Sequence, residues 1–289
     1  MRSFKAMLIV IAYMAALLLL SFVFLVPFMG NEVTLYTLTR SPLCYVALLL
    51  AQFVLIIMIA PAMTAGAIAG ERERQTLDLL LVTNTGSLRI VAGKVMESFA
   101  MLGLLIVCGL PVMSLCLLTG GVNLLQILLG EVFLLAEAFA CVSVGVFCSS
   151  LSKSTVVSTI MSYISILLFG AITALPLVFG YPQRITDVLY DRAQYAALEP
   201  AGALAMIPPL MLLNPGFGML ALVQLELHAF SSAAENLYWG RIMATWLMAD
   251  RAGWLAIVLI CVGGMLLISM ILLAISALMI RRKKSVIKN

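Results

Sequence analysis

The sequence predicts an all-α membrane protein whose chain crosses the bilayer six times, and three observations predict it. Hydrophobic residues make up 64% of the 289-residue chain and charged residues only 10%, where soluble domains carry about a quarter charged. Six stretches are long enough to cross a hydrocarbon core of about 30 Å as helix, the form that bonds every backbone amide internally where water is absent. Twelve of the 17 Lys and Arg residues fall on one side of the alternating topology that six spans create. The mean hydropathy of +1.16 agrees. One polytopic domain is expected over residues 1–289, with two long connections at 70–94 and 180–250.

The first span is expected at residues 6–29. Its apolar run is about twice the core of a cleavable leader, and the polar flank at Asn31 leads into further spans, so it reads as a retained helix. The second is expected at 43–69. After it comes "GERERQTLDLLLVTNTGSLRIVAGK" (70–94), the densest charge between any two spans. Leu77, Leu80 and Leu81 follow the i, i+3, i+4 pattern of one helical face, and Arg74 to Asp78 is an i, i+4 opposite-charge pair on another. "TNTGS" then supplies turn residues, with Ser87 placed to cap a helix running through Lys94. The segment predicts a helix, a tight turn and a helix. Its leucine face calls for a cover, either headgroups or the groove of a partner.

The third span is expected at 95–118 and the fourth at 124–147. The fourth carries Glu131 and Glu137, and a central carboxylate costs about 2.5–3.5 kcal/mol on insertion scales. Six residues separate the two by about 120° around the axis, so they do not form one proton-sharing pair. Two readings stay open for them: carboxyls bonded to Ser or Thr of a neighbouring helix, or groups on a translocation pathway or subunit seam. Glu97 reads as interfacial, and Gln52 and Gln126 as satisfied by local bonds.

The fifth span is expected at 156–179. Beyond it, "AGALAMIPPLMLLNPGFGMLALVQL" is apolar but broken by Pro208, Pro209 and Pro215, so neither half spans alone and a partly inserted re-entrant pair is expected. "ENLYWGRIMATWLMAD" places Trp239 and Trp246 close to Trp254, which favours an outer helix lying along the interface. The sixth span is expected at 253–280, anchored by "RRKKSVIK". Positive residues are retained inside, so both termini and the 70–94 connection are expected in the cytoplasm of a cell membrane. The net charge of +4 thus reports topology, and no nucleic-acid partner is expected.

Chemistry finds little to work with. All six cysteines fall in or at the ends of apolar spans and read as small hydrophobes, and His228 is the only histidine. Neither a catalytic constellation nor a metal site is expected.

The stretch "PAMTAGAIAGERERQTLDLLLVTNTGSLRIVAGK" (61–94) closely resembles the end of the second span and the coupling segment in membrane subunits of type-2 ATP-binding-cassette exporters. A Glu-rich turn, a Thr-Leu-Glu or Thr-Leu-Asp step, a Leu run and a Gly-Lys recur there in this order. The matching residues are Glu71, Glu73, Thr76, Leu77, Asp78, Leu79, Leu80, Thr83, Gly93 and Lys94. "GVFCSSLSKSTVVSTIMSYISILLF" (145–169) is similar to the family's link between spans four and five, and "LNPGFGML" (213–220) to its Asn-Pro before the last span.

This resemblance implies a non-catalytic permease subunit that docks its coupling segment on a separate ATP-binding subunit. Glu71, Glu73, Arg74 and Asp78 would orient the segment and Leu77, Leu80 and Leu81 carry contact, with Thr76 among the coupling residues. It implies a second permease subunit too, identical or related, with ATP and magnesium held by the partner chain. "GSLRIVAGKV" only superficially resembles a phosphate loop: six residues rather than four separate its glycines, and Val95 stands where Ser or Thr would hold magnesium. Nucleotide binding by this chain is therefore not expected. The competing readings are a proton-coupled secondary transporter using Glu131 or Glu137, and a membrane scaffold that moves no substrate.

Overall fold

A computed structural model describes residues 2–25, 35–76, 86–118, 122–179, 210–227 and 251–288. Every regular element among them is helical: α1 (Arg2–Leu25), α2 (Leu35–Thr64), α3 (Gly66–Glu73), α4 (Ser87–Leu118), α5 (Leu124–Leu151), α6 (Thr155–Phe179), a 3-10 turn (Met211–Leu213), α7 (Pro215–Leu227) and α8 (Arg251–Lys288). Among the described residues, five stretches are long and apolar enough to cross a bilayer: Cys44–Glu73, Ser87–Leu117, Leu124–Leu151, Thr155–Leu175 and Leu255–Arg281. The chain is a multi-pass membrane protein. The first expected span, 6–29, overlaps α1, whose apolar part, Met7–Val23, is shorter than the other five, while residues 26–29 lie outside the described residues. The expected outer helix around Trp239 and Trp246 lies outside the described residues, as do Pro208 and Pro209.

The chain divides into two compact units, Met1–Ile166 with Leu266–Asn289, and Leu167–Met265. In the first, α2, α4 and α5 pack on one another, and α1 lies against α2 and α4. Helix α5 is the centre of this unit, with more of its apolar stretch buried than in any other of the five long helices. It starts with a reciprocal cap, Asn123 Oδ1 accepting from Gln126 N at 2.9 Å while Gln126 Oε1 accepts from Asn123 N at 2.8 Å. Gln126 is locally satisfied, as expected. Gln52 is not, because its amide reaches across to Tyr13 on α1.

Lipid is as apolar as leucine, so cohesion inside a bilayer comes from close packing and interhelical hydrogen bonds rather than from transfer out of water. The closest approaches are at glycines. A Cβ on Gly145 of α5 would collide with Thr64 Oγ1 of α2, and one on Gly109 of α4 with the Gln52 amide. Phe99 and Phe139 add an edge-to-face pair between α4 and α5, with centroids 5.6 Å apart. A Cβ on Gly70 would stand 3.4 Å from Thr155 Cγ2, whereas one on Gly263 would meet nothing within 4 Å. Overpacking costs about 1–3 kcal/mol, so Gly145→Val is expected to lower the unfolding midpoint of the detergent-solubilised protein clearly. Gly93→Ala, whose Cβ meets nothing within 4 Å, should leave that midpoint unchanged or raise it.

In the second unit, Asn214 begins α7. Its Oδ1 accepts from Gly216 N at 2.8 Å and Phe217 N at 3.3 Å, with Pro215 at the first helical position. Its amide donates to Gly170 O at 3.0 Å and Thr173 Oγ1 at 2.9 Å on α6. The 13-residue α7 is too short to span, in keeping with the expected interruption at Pro215.

Candidate functional site

The charged segment after the second span begins as α3, and its first feature is a break. The helical run coming down from α2 is interrupted at Ala65, where the Ser149 hydroxyl of α5 meets the backbone. Oγ accepts from Ile68 N at 2.9 Å and Ala69 N at 2.8 Å and donates to Ala65 O at 2.7 Å. One buried serine thus bonds three backbone groups around this break. The contact sets α3 against the end of α5.

Three consecutive charges of α3 then engage three other helices. Glu71 Oε1 lies 2.6 Å from Lys94 Nζ on α4, and Lys94 also lies 3.6 Å from Glu97. Arg72 donates to Ser150 O at 2.9 Å and to Ser152 O, the carbonyls that end α5. Glu73 Oε2 accepts from Thr155 Oγ1 at 2.9 Å and Thr155 N at 3.3 Å, where α6 begins. The signs suit the helix ends they meet. A cation sits at the carbonyl-rich C-terminus of α5, and an anion at the amide-rich N-terminus of α6. Close approach is needed as well: Thr155 Cγ2 lies 3.4 Å from where a Cβ on Gly70 would stand.

The helix ends at Glu73. Arg74 is its C-cap, Gln75 takes φ +59°, Gln75 N bonds Arg72 O and Thr76 N bonds Glu71 O. That pair of bonds is a Schellman stop, with glutamine in the left-handed position usually given to glycine. The expectation of one continuous amphipathic helix carrying Arg74 and Asp78 as an i, i+4 pair is corrected at its first member, since the backbone leaves helical register at Gln75. Leu77, Asp78, Leu80 and Leu81 lie outside the described residues. Arg74 and Thr76 are exposed, the Thr76 hydroxyl donating to Glu71 O at 3.1 Å. On the far side, α4 starts at Ser87, and it is Gly86 whose carbonyl accepts from Arg89 N and Ile90 N.

The structure therefore brings Glu71 and Glu73 into one cluster with Arg72, Lys94, Ser149 and Thr155, and leaves Arg74 and Thr76 on its rim. Sequence reasoning missed Arg72, Ser149 and Thr155. The signal that could have found two of them is the polar run "SSLSKST" (149–155) between two apolar spans.

Glu131 and Glu137 lie elsewhere, along the buried side of α5, with 5% and 1% of their surfaces exposed. Glu137 Oε1 accepts from the Cys141 thiol at 3.3 Å, a partner one turn along its own helix. Glu131 sits beside the Gln52 amide, yet neither of its oxygens meets a donor at bonding geometry. No family model matches the chain, and no curated protein matches it.

Proposed function

We propose that this chain is the permease subunit of an ATP-driven exporter of the type-2 ATP-binding-cassette class, working as a pair of like or related permeases with separate ATP-binding subunits. In this reading α1 also crosses the membrane, as the first of six spans, both termini are cytoplasmic, and the α3 end of the bundle faces the ATP-binding subunit. ATP and magnesium belong to that partner. One observation carries the proposal beyond the sequence likeness: Glu71, Arg72 and Glu73 tie the ends of α4, α5 and α6 to one short helix. A push on residues 77–85 would then be delivered to three membrane helices together. Arg74 and Thr76, exposed at the start of that segment, are available to the partner.

Purification from native membranes is expected to yield a complex with a stoichiometric ATP-hydrolysing subunit. Leu80→Asp should release that subunit or cut coupled ATPase activity about tenfold, the effect of losing roughly 1.4 kcal/mol of docking. A chain that purifies without an ATPase while catalysing proton-driven flux would replace this reading with that of a secondary transporter. Substrate-independent hydrolysis in an intact complex would favour the scaffold.

A further inference from the structure

Three helices place Tyr13 (α1), Gln52 (α2) and Glu131 (α5) together in the interior of the first unit, with 2%, 0% and 5% of their surfaces exposed. Gln52 Nε2 donates to Tyr13 Oη at 3.0 Å. Gln52 lies beside Glu131, and Tyr13 is close enough to Glu131 and Cys108 to interact with them electrostatically. Gly109 on α4 supplies the room, since a Cβ there would strike the Gln52 amide. Three oxygens in this cluster lack a hydrogen-bond partner: both of Glu131 and Oε1 of Gln52.

Among the described residues, no counter-charge is placed beside a carboxylate in this position. Among the described residues no buried side chain is Lys, Arg or His. Among the described residues, the titratable groups placed near it from neighbouring helices are Tyr13 on α1, Tyr45 on α2 and Cys108 on α4, none of which can carry positive charge. Burial of a bare carboxylate is expensive, and a bound cation removes the expense. A metal ion would want about six oxygens, and three are open. A proton needs only one donor and one acceptor.

We infer that Tyr13, Gln52 and Glu131 form a proton-binding site at which a proton from water is reversibly taken up. The cluster offers a partner to each state. With the proton released to water, the Gln52 amide beside it can donate to the carboxylate. With the proton on Glu131, its O–H can donate to the Tyr13 hydroxyl oxygen, which keeps a lone pair free after accepting from Gln52. Glu137 lacks this arrangement, having its recorded partner on its own helix. Access is short: Glu131 stands seven residues, about 10 Å, inside the start of α5 at Leu124, at the end of that helix away from α3.

The test is infrared spectroscopy of the full chain in lipid nanodiscs, in a Glu137→Gln background so that Glu131 is the buried carboxyl being read. The expected result is a carbonyl-stretch band of a protonated carboxylic acid that falls reversibly as pH is raised from about 4 to 10. That band should vanish in Glu131→Gln, and Tyr13→Phe and Gln52→Leu should displace its midpoint in opposite senses, because each removes the partner of a different state. A band constant across the whole range, no band assignable to Glu131, or a midpoint unmoved by both variants would each overturn the site. Should Glu131→Gln fail to fold, the pH titration with the Tyr13 and Gln52 variants still decides. The proposed exporter function stands or falls separately.

Discussion

Arg72→Met should destabilise the protein by about 2–3 kcal/mol and, in a transporting complex, separate ATP hydrolysis from transport. The guanidinium donates to two carbonyls that end α5, Ser150 O and Ser152 O. A methionine of similar length keeps the packing of the stem but leaves those carbonyls without their donors, and buried acceptors stripped of partners carry the larger part of the penalty. Arg72→Lys should recover part of the loss, because an ammonium supplies charge at the α5 C-terminus without the planar fork that reaches two acceptors together. Arg74→Met is the contrasting variant. Arg74 is exposed and lies past the end of α3, so its removal should leave the unfolding midpoint near wild type. If α3 transmits force, Arg72→Met lowers both stability and coupling, while Arg74→Met touches only the affinity for the ATP-binding subunit. Equal stability of Arg72→Met and wild type in a detergent melt would remove the bracket from the mechanism.

What could be read in advance follows the range over which the physics acts. Span length and hydropathy are local, and five expected spans appear as long apolar helices, four of them within four residues of their expected bounds and the third starting eight residues early, at Ser87. The second runs further than expected, through Glu73, because the chain resumes as helix after the break at Ala65. A break at which a hydroxyl 84 residues away meets the backbone leaves no trace in the segment itself. The same holds for the bracket. "GERER" announces charge, but its destinations are set by where α5 ends and α6 begins, which only packing determines. Helices apolar on every side carry little sign of which face turns inward, so Gln52 passed for a locally satisfied residue although it joins α2 to α1. Gln75 is the local failure. Glycine would have signalled the Schellman stop; glutamine at φ +59° does not.

The other large effect is expected at Asn214, which does two jobs with one side chain. Its carbonyl oxygen caps α7 through Gly216 N and Phe217 N, and its amide nitrogen bonds Gly170 O and Thr173 Oγ1 on α6. Removing both functions with Asn214→Leu should cost about 2–4 kcal/mol, a cap being worth about 1 and each of the two lost amide bonds about 0.5–1.5. Single-function variants separate the two. Asn214→Ser keeps a cap oxygen and loses the reach to α6, so it should retain a minority of the stability. Asn214→Asp keeps the cap but turns an acceptor toward the Gly170 carbonyl and should be at least as damaging as leucine. Thr173→Ala should be mild, since the amide keeps Gly170 O. Unfolding midpoints in one detergent would rank the four. A near-wild-type Asn214→Ser would mean that the residue only starts a helix, whereas the order just given would mean that it fastens the short α7 to α6 inside the apolar layer, where a hydrogen bond has no water to compete with it.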